Sequence, residues 1–122
     1  MKYVRIYADQ NDDSHFEDVE VGMSPTDFAP PAPPVDLSPL MPTTHVGFIG
    51  FPAGWYGPPH PAPRRQFLFL LTGEGEIAVS DGEVRHFAPG SVMLVEDTSG
   101  KGHTTRVVGN DYGLVAVVQL PD

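Results

Sequence analysis

The sequence contains no cysteine and no long apolar run. Without cysteine there is no disulfide framework, no thiolate metal site and no cysteine nucleophile. No uninterrupted apolar segment approaches the roughly 20 residues that are needed to cross a bilayer. The first residues, Met1 to Arg5, lack the apolar core and the small-residue cleavage site of a signal peptide. We therefore expect a cytoplasmic protein that has no membrane contact.

Basic residues are also scarce: seven Lys and Arg stand against sixteen Asp and Glu, giving a net charge of −9. Nucleic acid and anionic membranes are disfavoured as partners, because both are bound through cationic side chains. No Lys or Arg occurs between Arg5 and Arg64, and the five that follow belong to the second half of the chain. This distribution is compatible with an anionic small ligand, although strands also need charged side chains that face solvent.

No segment has a convincing helical period, and short apolar runs alternate with Gly, Pro and Asp. Asp81-Gly82 is typical of a tight hairpin, because such turns need positive φ angles. The pattern predicts an all-β, antiparallel single domain spanning residues 1–122. Residues 8–18 are acidic and predict a loop. The expected strands are an edge strand at 2–7 and further strands at 43–51, 66–71, 76–80, 83–87, 91–96, 103–108 and 112–120.

Residues 25–42 contain seven prolines. Proline fixes φ and removes a backbone donor, so neither a helix nor a central strand is expected there. We predict an extended N-terminal arm that lies over a barrel, with residues 1–42 forming the edge strand and arm and residues 43–122 forming the barrel. The alternative is a disordered linker, but the apolar side chains in this stretch favour docking.

Two predicted strands are apolar on both faces, Gln66–Leu71 and Leu114–Val118. Successive side chains of a strand point to opposite sides, so both faces of each of these strands must be covered by other apolar groups. One cover is the interior of the domain. The other is the arm or a second subunit, and we predict a homodimer.

The middle of the chain resembles the cupin superfamily. The first cupin motif, G-x5-H-x-H-x3-E-x6-G, aligns without gaps to Gly54, His60, Ala62, Gln66 and Gly73. Two glycines and one histidine match, while alanine replaces the second histidine and glutamine replaces the acid. The second motif, G-x5-P-x-G-x2-H-x3-N, begins at Gly90 and reaches its histidine, His103, after two extra residues. The resemblance implies a jelly-roll-like, cupin-type β-barrel over about residues 43–120.

The ligand set implied by this resemblance is His60, Gln66 and His103. Imidazole suits one divalent transition metal such as Fe, Mn, Ni, Cu or Zn. A glutamine oxygen is a weaker donor than a carboxylate, and Arg64 would add a positive charge nearby, so both departures argue against tight binding. Glu96 is a candidate to restore the missing carboxylate.

A metal-free site would use the same residues differently. Arg64 presents a planar fork that matches a substrate carboxylate. His60 or His103 would serve as general acid or base, with Glu96 or Asp97 orienting it. Trp55 and Tyr56 would form apolar walls at the mouth, with Gln66 as a further substrate contact. The simpler interpretation is that Trp55 and Tyr56 pack a turn and that the histidines are hydrogen-bonded core residues.

The sequence thus predicts a small-molecule-binding cupin that takes a small anionic organic ligand, and enzymatic turnover is one possibility. The catalytic candidates are His60, His103 and Glu96. The alternative is a non-catalytic binding module or sensor that has lost its metal.

Overall fold

The computed structural model describes residues 1–122 and contains twelve strands and no helix. Accordingly, it offers no helix that is long and apolar enough to span a membrane. The strands are β1 (Lys2–Ala8), β2 (Ser14–Glu20), β3 (Ser24–Thr26), β4 (Val35–Leu37), β5 (His45–Phe51), β6 (Tyr56–His60), β7 (Gln66–Thr72), β8 (Glu74–Val79), β9 (Val84–Phe87), β10 (Val92–Val95), β11 (His103–Val108) and β12 (Gly113–Gln119).

Two sheets carry the fold. The larger has six strands in the order β2-β1-β10-β7-β12-β5, and the smaller has four in the order β6-β11-β8-β9. All neighbours are antiparallel except β1 and β10, which run parallel. The all-β prediction is confirmed, and a hairpin at Asp81-Gly82 joins β8 to β9. In this turn only Gly82 has a positive φ, at +101°, and the amide of Val79 donates a hydrogen bond to the carbonyl oxygen of Glu83. The turn therefore has three residues, Ser80 to Gly82, rather than the two that a type I′ turn would have.

The core lies between the inner faces of the two sheets, where alternate residues of each strand point inward. From the larger sheet come Ile6, Met93 and Leu70, and from the smaller come Ile77 and Val79. Burial of such side chains is worth about 1.5–3 kcal/mol each, so this layer of aliphatic residues holds the sheets together. The rest of the cluster is Phe16, Ala62, Phe87, Val95 and Val115.

The loop predicted for residues 8–18 is wrong beyond Asp13, because Ser14–Glu20 forms β2 and pairs with β1 along its whole length. Ser14 and Phe16 are buried, whereas Glu17 and Asp18 face solvent. The acidic outer residues conceal this alternation in the sequence. The pairing also corrects the edge position predicted for residues 2–7, since β1 lies between β2 and β10.

The strand Tyr56–His60 was not predicted because it contains Pro58 and Pro59. It tolerates them because β6 is the edge of the smaller sheet and pairs only with β11. The proline-rich stretch holds the short ribbon β3–β4, which joins neither large sheet.

The outer face of the larger sheet is apolar and largely open. Val46 and Phe48 on β5 are 73% and 72% exposed, and Leu71 and Tyr112 are also exposed. A groove of about 530 Å³ on this face is lined by Phe67, Phe69 and Val118 together with Pro39–Met41. The proline-rich stretch therefore flanks one part of the face and leaves the β5 side uncovered.

Candidate functional site

An irregularity in β6 brings His60 and His103 to the same side of the smaller sheet. Thr105 pairs with Gly57 and His103 pairs with His60, so β6 has one residue more than β11 between the two pairs. Such a bulge re-aims the side chains that follow it. The two imidazole rings consequently lie with their centroids 5.3 Å apart.

His103 is buried and is held by a fully buried carboxylate. Its Nδ1 lies 2.6 Å from Oδ2 of Asp97, which has no exposed surface. The same oxygen accepts a hydrogen bond from the Ser14 hydroxyl at 3.1 Å. A carboxylate oxygen accepts, so the proton of the neutral imidazole lies on Nδ1 and Nε2 is left with a free lone pair.

Hydrogen bonds to segments on both sides of the site hold Asp97 in place. It follows β10, and its carbonyl oxygen accepts a hydrogen bond of 2.9 Å from the amide of Ala62. The backbone amide of Ser14, which opens β2, donates a further hydrogen bond to the hydroxyl oxygen of Ser80. The other carboxylate oxygen of Asp97, Oδ1, is buried and has no protein partner. An unpaired buried carboxylate oxygen is costly, so a bound water or ligand group is expected there.

His60 is exposed at the edge of the site. Its Nδ1 lies 2.7 Å from the carbonyl oxygen of Pro58, so this ring also donates through Nδ1 and has Nε2 free. Trp55 lies beside it: the indole packs edge-on against Phe51, with centroids 4.8 Å apart. The indole also crosses Gly57, where a Cβ would lie only 2.6 Å from the ring. A side chain at position 57 would therefore displace the indole, and Trp55 fills the gap between β5 and β6.

His103 forms one end of an apolar cavity of about 80 Å³ between the two sheets. The cavity runs towards Glu74, Gly75 and Arg106 at the other end of the smaller sheet. His103 is its only buried ionisable side chain. The walls are Phe51, Leu68, Leu70, Ile77, Phe87, Met93, Val95, Val107 and Val115.

The other predicted site residues are dispersed. Gln66 is buried, but its amide oxygen accepts a hydrogen bond of 3.2 Å from Gln119. Arg64 donates to the carbonyl oxygen of Leu120 at 3.3 Å. Tyr56 is exposed on β6. The structure thus brings His60 and His103 together and gives Gln66 and Arg64 other partners.

Glu96 is held between two arginines. Its two carboxylate oxygens accept hydrogen bonds from Arg5 and Arg65. Burial alone would raise the pKa of Glu96, but the bonds from Arg5 and Arg65 outweigh that effect and lower it. An ionised carboxylate whose oxygens are already occupied in this way is a structural anchor rather than an available base or ligand.

The donor set does not fit a tightly bound transition metal. No three His, Cys, Asp or Glu side chains converge, and the glutamine that would complete the set is engaged with Gln119. Two imidazole nitrogens alone fall short of the three or more protein ligands that are usual in such sites.

The sequence only partly predicted the role of Asp97 in the site. Its position next to Glu96 made it an alternative orienting acid, and the structure assigns that contact to Asp97. Ser14 was missed because it lies 83 residues from Asp97 in the chain. The only local signal for Ser14 is that it lies two residues before the apolar Phe16, as expected for two residues on the same face of a strand. The acidic composition of the segment hid this strand in the sequence.

A third histidine, His15, joins two turns on the outside of the molecule. Its Nε2 lies 2.6 Å from Asp9 and its Nδ1 lies 2.7 Å from Asp81, while Tyr7 packs beside the ring. Asp13 and Lys101, paired at 2.9 Å, belong to the same surface. The hydrogen bonds from His15 to Asp9 and then Asp81 raise the pKa of His15. Protonated His15 thereby links the β1–β2 turn to the β8–β9 turn.

We expect the stability that His15 contributes to depend on pH. A raised folded-state pKa means that the contribution is complete below the unfolded value of about 6.5 and is lost as the pH rises through the folded value. Replacing His15 with Gln should lower the melting temperature most at about pH 5.5, and the difference from wild type should shrink in alkaline buffer. Thermal denaturation across this range measures the effect. His45→Gln, at an exposed histidine without an acidic partner, serves as the control, and a His15 difference that does not change with pH would contradict the assignment.

The structure is similar to solved structures of known fold. It matches the cupin domain of Schizosaccharomyces pombe Cnp3 with a TM-score of 0.55 and 15% identity, over 89% of this chain and 73% of that one. A conserved Streptococcus pyogenes protein of unknown function aligns with a TM-score of 0.47 and 18% identity, over 63% of this chain and 64% of that one. No protein-family model and no curated protein matches the sequence. The chain has a cupin fold.

Proposed function

We propose that this cupin-fold protein binds a small organic molecule in the cavity between its sheets, with His103 as the polar contact. The observation that carries the proposal is the buried hydrogen bond from His103 to Asp97, which fixes the ring beside an apolar cavity. Ligand sites typically combine apolar walls with a few oriented polar groups. The histidine, the carboxylate behind it and the walls reproduce that combination.

The same arrangement would support proton transfer. A carboxylate bonded to Nδ1 orients an imidazole and stabilises its protonated form, which is the role of the acid in a His–Asp pair. His103 would accept or donate a proton at Nε2, and His60, whose ring is 5.3 Å away, would be a second group at the edge of the site. Turnover of a small substrate by general acid–base chemistry is thus the enzymatic form of the proposal.

The runner-up is a binding module without catalysis. The cavity of about 80 Å³ is well below the roughly 300–1,000 Å³ of typical ligand pockets. A small, enclosed space favours occupancy by a compact molecule over the handling of a large substrate. The two functions differ in whether His103→Ala abolishes a reaction or only weakens binding.

We also propose that the protein is a homodimer. β5 is the free edge of the larger sheet, and two of its residues, Val46 and Phe48, are exposed. The segment His45–Phe51 carries no Lys, Arg, Asp or Glu, so it lacks the charges that usually protect an edge strand from pairing. A second copy related by a two-fold axis would pair β5 with β5 and bury the same apolar side chains. The proline-rich arm would complete the cover from the β1 side.

A ligand screen against a filled-cavity variant tests the binding proposal. Gly75 faces the cavity, has ordinary backbone geometry, and an added Cβ meets no atom closer than 3.7 Å. Gly75→Val should preserve the fold and gain stability of up to about 1 kcal/mol, because valine favours strands and restricts the unfolded chain. Small molecules that raise the melting temperature of the wild type should not raise that of Gly75→Val.

Gly22→Ala provides a control, since Gly22 has ordinary backbone geometry and open space around it, and it does not line the cavity. Compounds that stabilise all three proteins equally would show that binding occurs outside the cavity and would contradict the proposal.

A further inference from the structure

His103 is the one buried ionisable side chain of the cavity, and it lies at one end, on the β6 side. The long walls are mostly aliphatic and aromatic, with the half-buried Thr105 as the one hydroxyl, and Nε2 of His103 has no hydrogen-bond partner in the protein. Glu74 and Arg106 lie at the opposite end and are exposed. A ligand that fits these surroundings has an apolar body and a polar group at the end that meets His103.

Apart from Arg106 at its mouth, no lysine or arginine lines the cavity to match an anionic group. Arg5 and Arg65 are bound to Glu96, and Arg64 donates to a backbone carbonyl. Arg106, at the mouth, is paired with Glu76 at 3.1 Å. Meanwhile Asp97, directly behind His103, has no exposed surface. An anion placed in the cavity would be desolvated beside an existing carboxylate, which is costly.

The hydrogen-bond polarity of His103 defines what the ligand must present. Asp97 accepts the hydrogen bond of Nδ1, so Nε2 is the ring nitrogen that is left for a ligand, and in the neutral form of the ring it accepts a hydrogen bond. We propose that the ligand is a neutral molecule, an inference that rests on the proposed function. The ligand would insert into the cavity a short aliphatic segment that ends in a hydroxyl or another hydrogen-bond donor. This inference favours a neutral ligand over the anionic one expected from the distribution of arginines.

The volume sets the length of the inserted segment. An apolar cavity of about 150 Å³ accommodates benzene. The cavity in this protein has a volume of about 80 Å³, so it has room for about three to five non-hydrogen atoms. Gly75 and Gly113 lie at the far end without side chains. Any remainder of a longer ligand would leave the cavity between Glu74 and Arg106.

The test compares propan-1-ol with propionate, which match in size and differ in charge and donor capacity. Backbone amide NMR spectra of the full chain, followed at Gly75 and Val107, report binding in the millimolar range. Propan-1-ol should bind about tenfold more tightly than propionate or better. Hexan-1-ol, which is longer than the cavity, should gain little affinity over propan-1-ol. Equal or tighter binding of propionate would overturn the inference.

Xenon under pressure separates failure of this inference from failure of the proposed function, because xenon needs an apolar cavity and no hydrogen bond. Xenon binding with no preference for the alcohol overturns only the inference, whereas absence of every probe from the cavity overturns both. His103→Leu should keep xenon and lose about 3- to 10-fold in alcohol affinity, the effect of one hydrogen bond. If that variant does not fold, Gly75→Val decides instead: alcohol binding that survives in it would place the site elsewhere and overturn the inference.

Discussion

Replacing Asp97 with alanine is expected to lower the free energy of unfolding by about 3–5 kcal/mol, the usual cost of breaking a buried polar pair. The carboxylate has no exposed surface and accepts hydrogen bonds from both His103 and Ser14. Its removal leaves those two donors without a partner and opens a space between β2 and the loop after β10. Urea denaturation, followed through the fluorescence of the single tryptophan, Trp55, measures the loss.

Two further variants show whether the loss of stability comes from the buried Asp97–His103 pair. Asp111→Ala, at an exposed position, should change stability by no more than about 0.5 kcal/mol. In a double-mutant cycle, the effects of Asp97→Ala and His103→Leu should not add, because the second change removes a partner that the first has already orphaned. Additive effects, or a loss below 1 kcal/mol for Asp97→Ala, would show that the pair does not organise this end of the cavity.

Replacing Phe48 with glutamate should convert the protein from dimer to monomer. Phe48 is 72% exposed on the free edge strand β5, and a two-fold interface would place two copies of the new charge in one buried apolar region. Burial of unpaired charges costs several kcal/mol, so the dissociation constant should rise by at least a hundredfold. Sedimentation velocity at micromolar concentration should show twice the chain mass of 13.2 kDa for the wild type and the chain mass for the variant.

The matched control is Val84→Glu. Val84 is also an exposed apolar residue on an edge strand, but it belongs to β9 of the smaller sheet. It should leave the mass unchanged. A wild type that sediments as a monomer, or a Val84 variant that dissociates like the Phe48 variant, would contradict an interface at β5.

The fold was largely accessible from the sequence because its strands follow simple local rules. Gly and Pro separate the apolar runs, and a hairpin forms at Asp81-Gly82 as this dipeptide predicts, although its turn has three residues rather than two. The failures arose where tertiary pairing overrides composition. β2 carries three acidic residues that face solvent, Glu17, Asp18 and Glu20. It is a strand because β1 pairs with it along its whole length. β6 contains two prolines that only an edge position allows.

The site was less accessible because it depends on contacts between distant segments. Spacing placed His60, Arg64 and Gln66 on one face, but the bulge before His60 and the partners of Arg64 and Gln66 separate them. The alignment of His103 across a two-residue insertion left its position open, and the structure pairs it with His60. The network from Ser14 through Asp97 to His103 joins three parts of the chain, and no local pattern indicates it.

The most direct measurement of the central claim is the ¹⁵N NMR spectrum of the His103 ring, recorded with and without propan-1-ol. We expect a proton on Nδ1, a free Nε2 in the unliganded protein, and a shift of the Nε2 resonance on addition of the alcohol. The Gly75→Val variant should not show this shift. A ring protonated at Nε2, or an Nε2 resonance that does not respond to the alcohol, would contradict the claim that His103 is the polar contact of a small-molecule site.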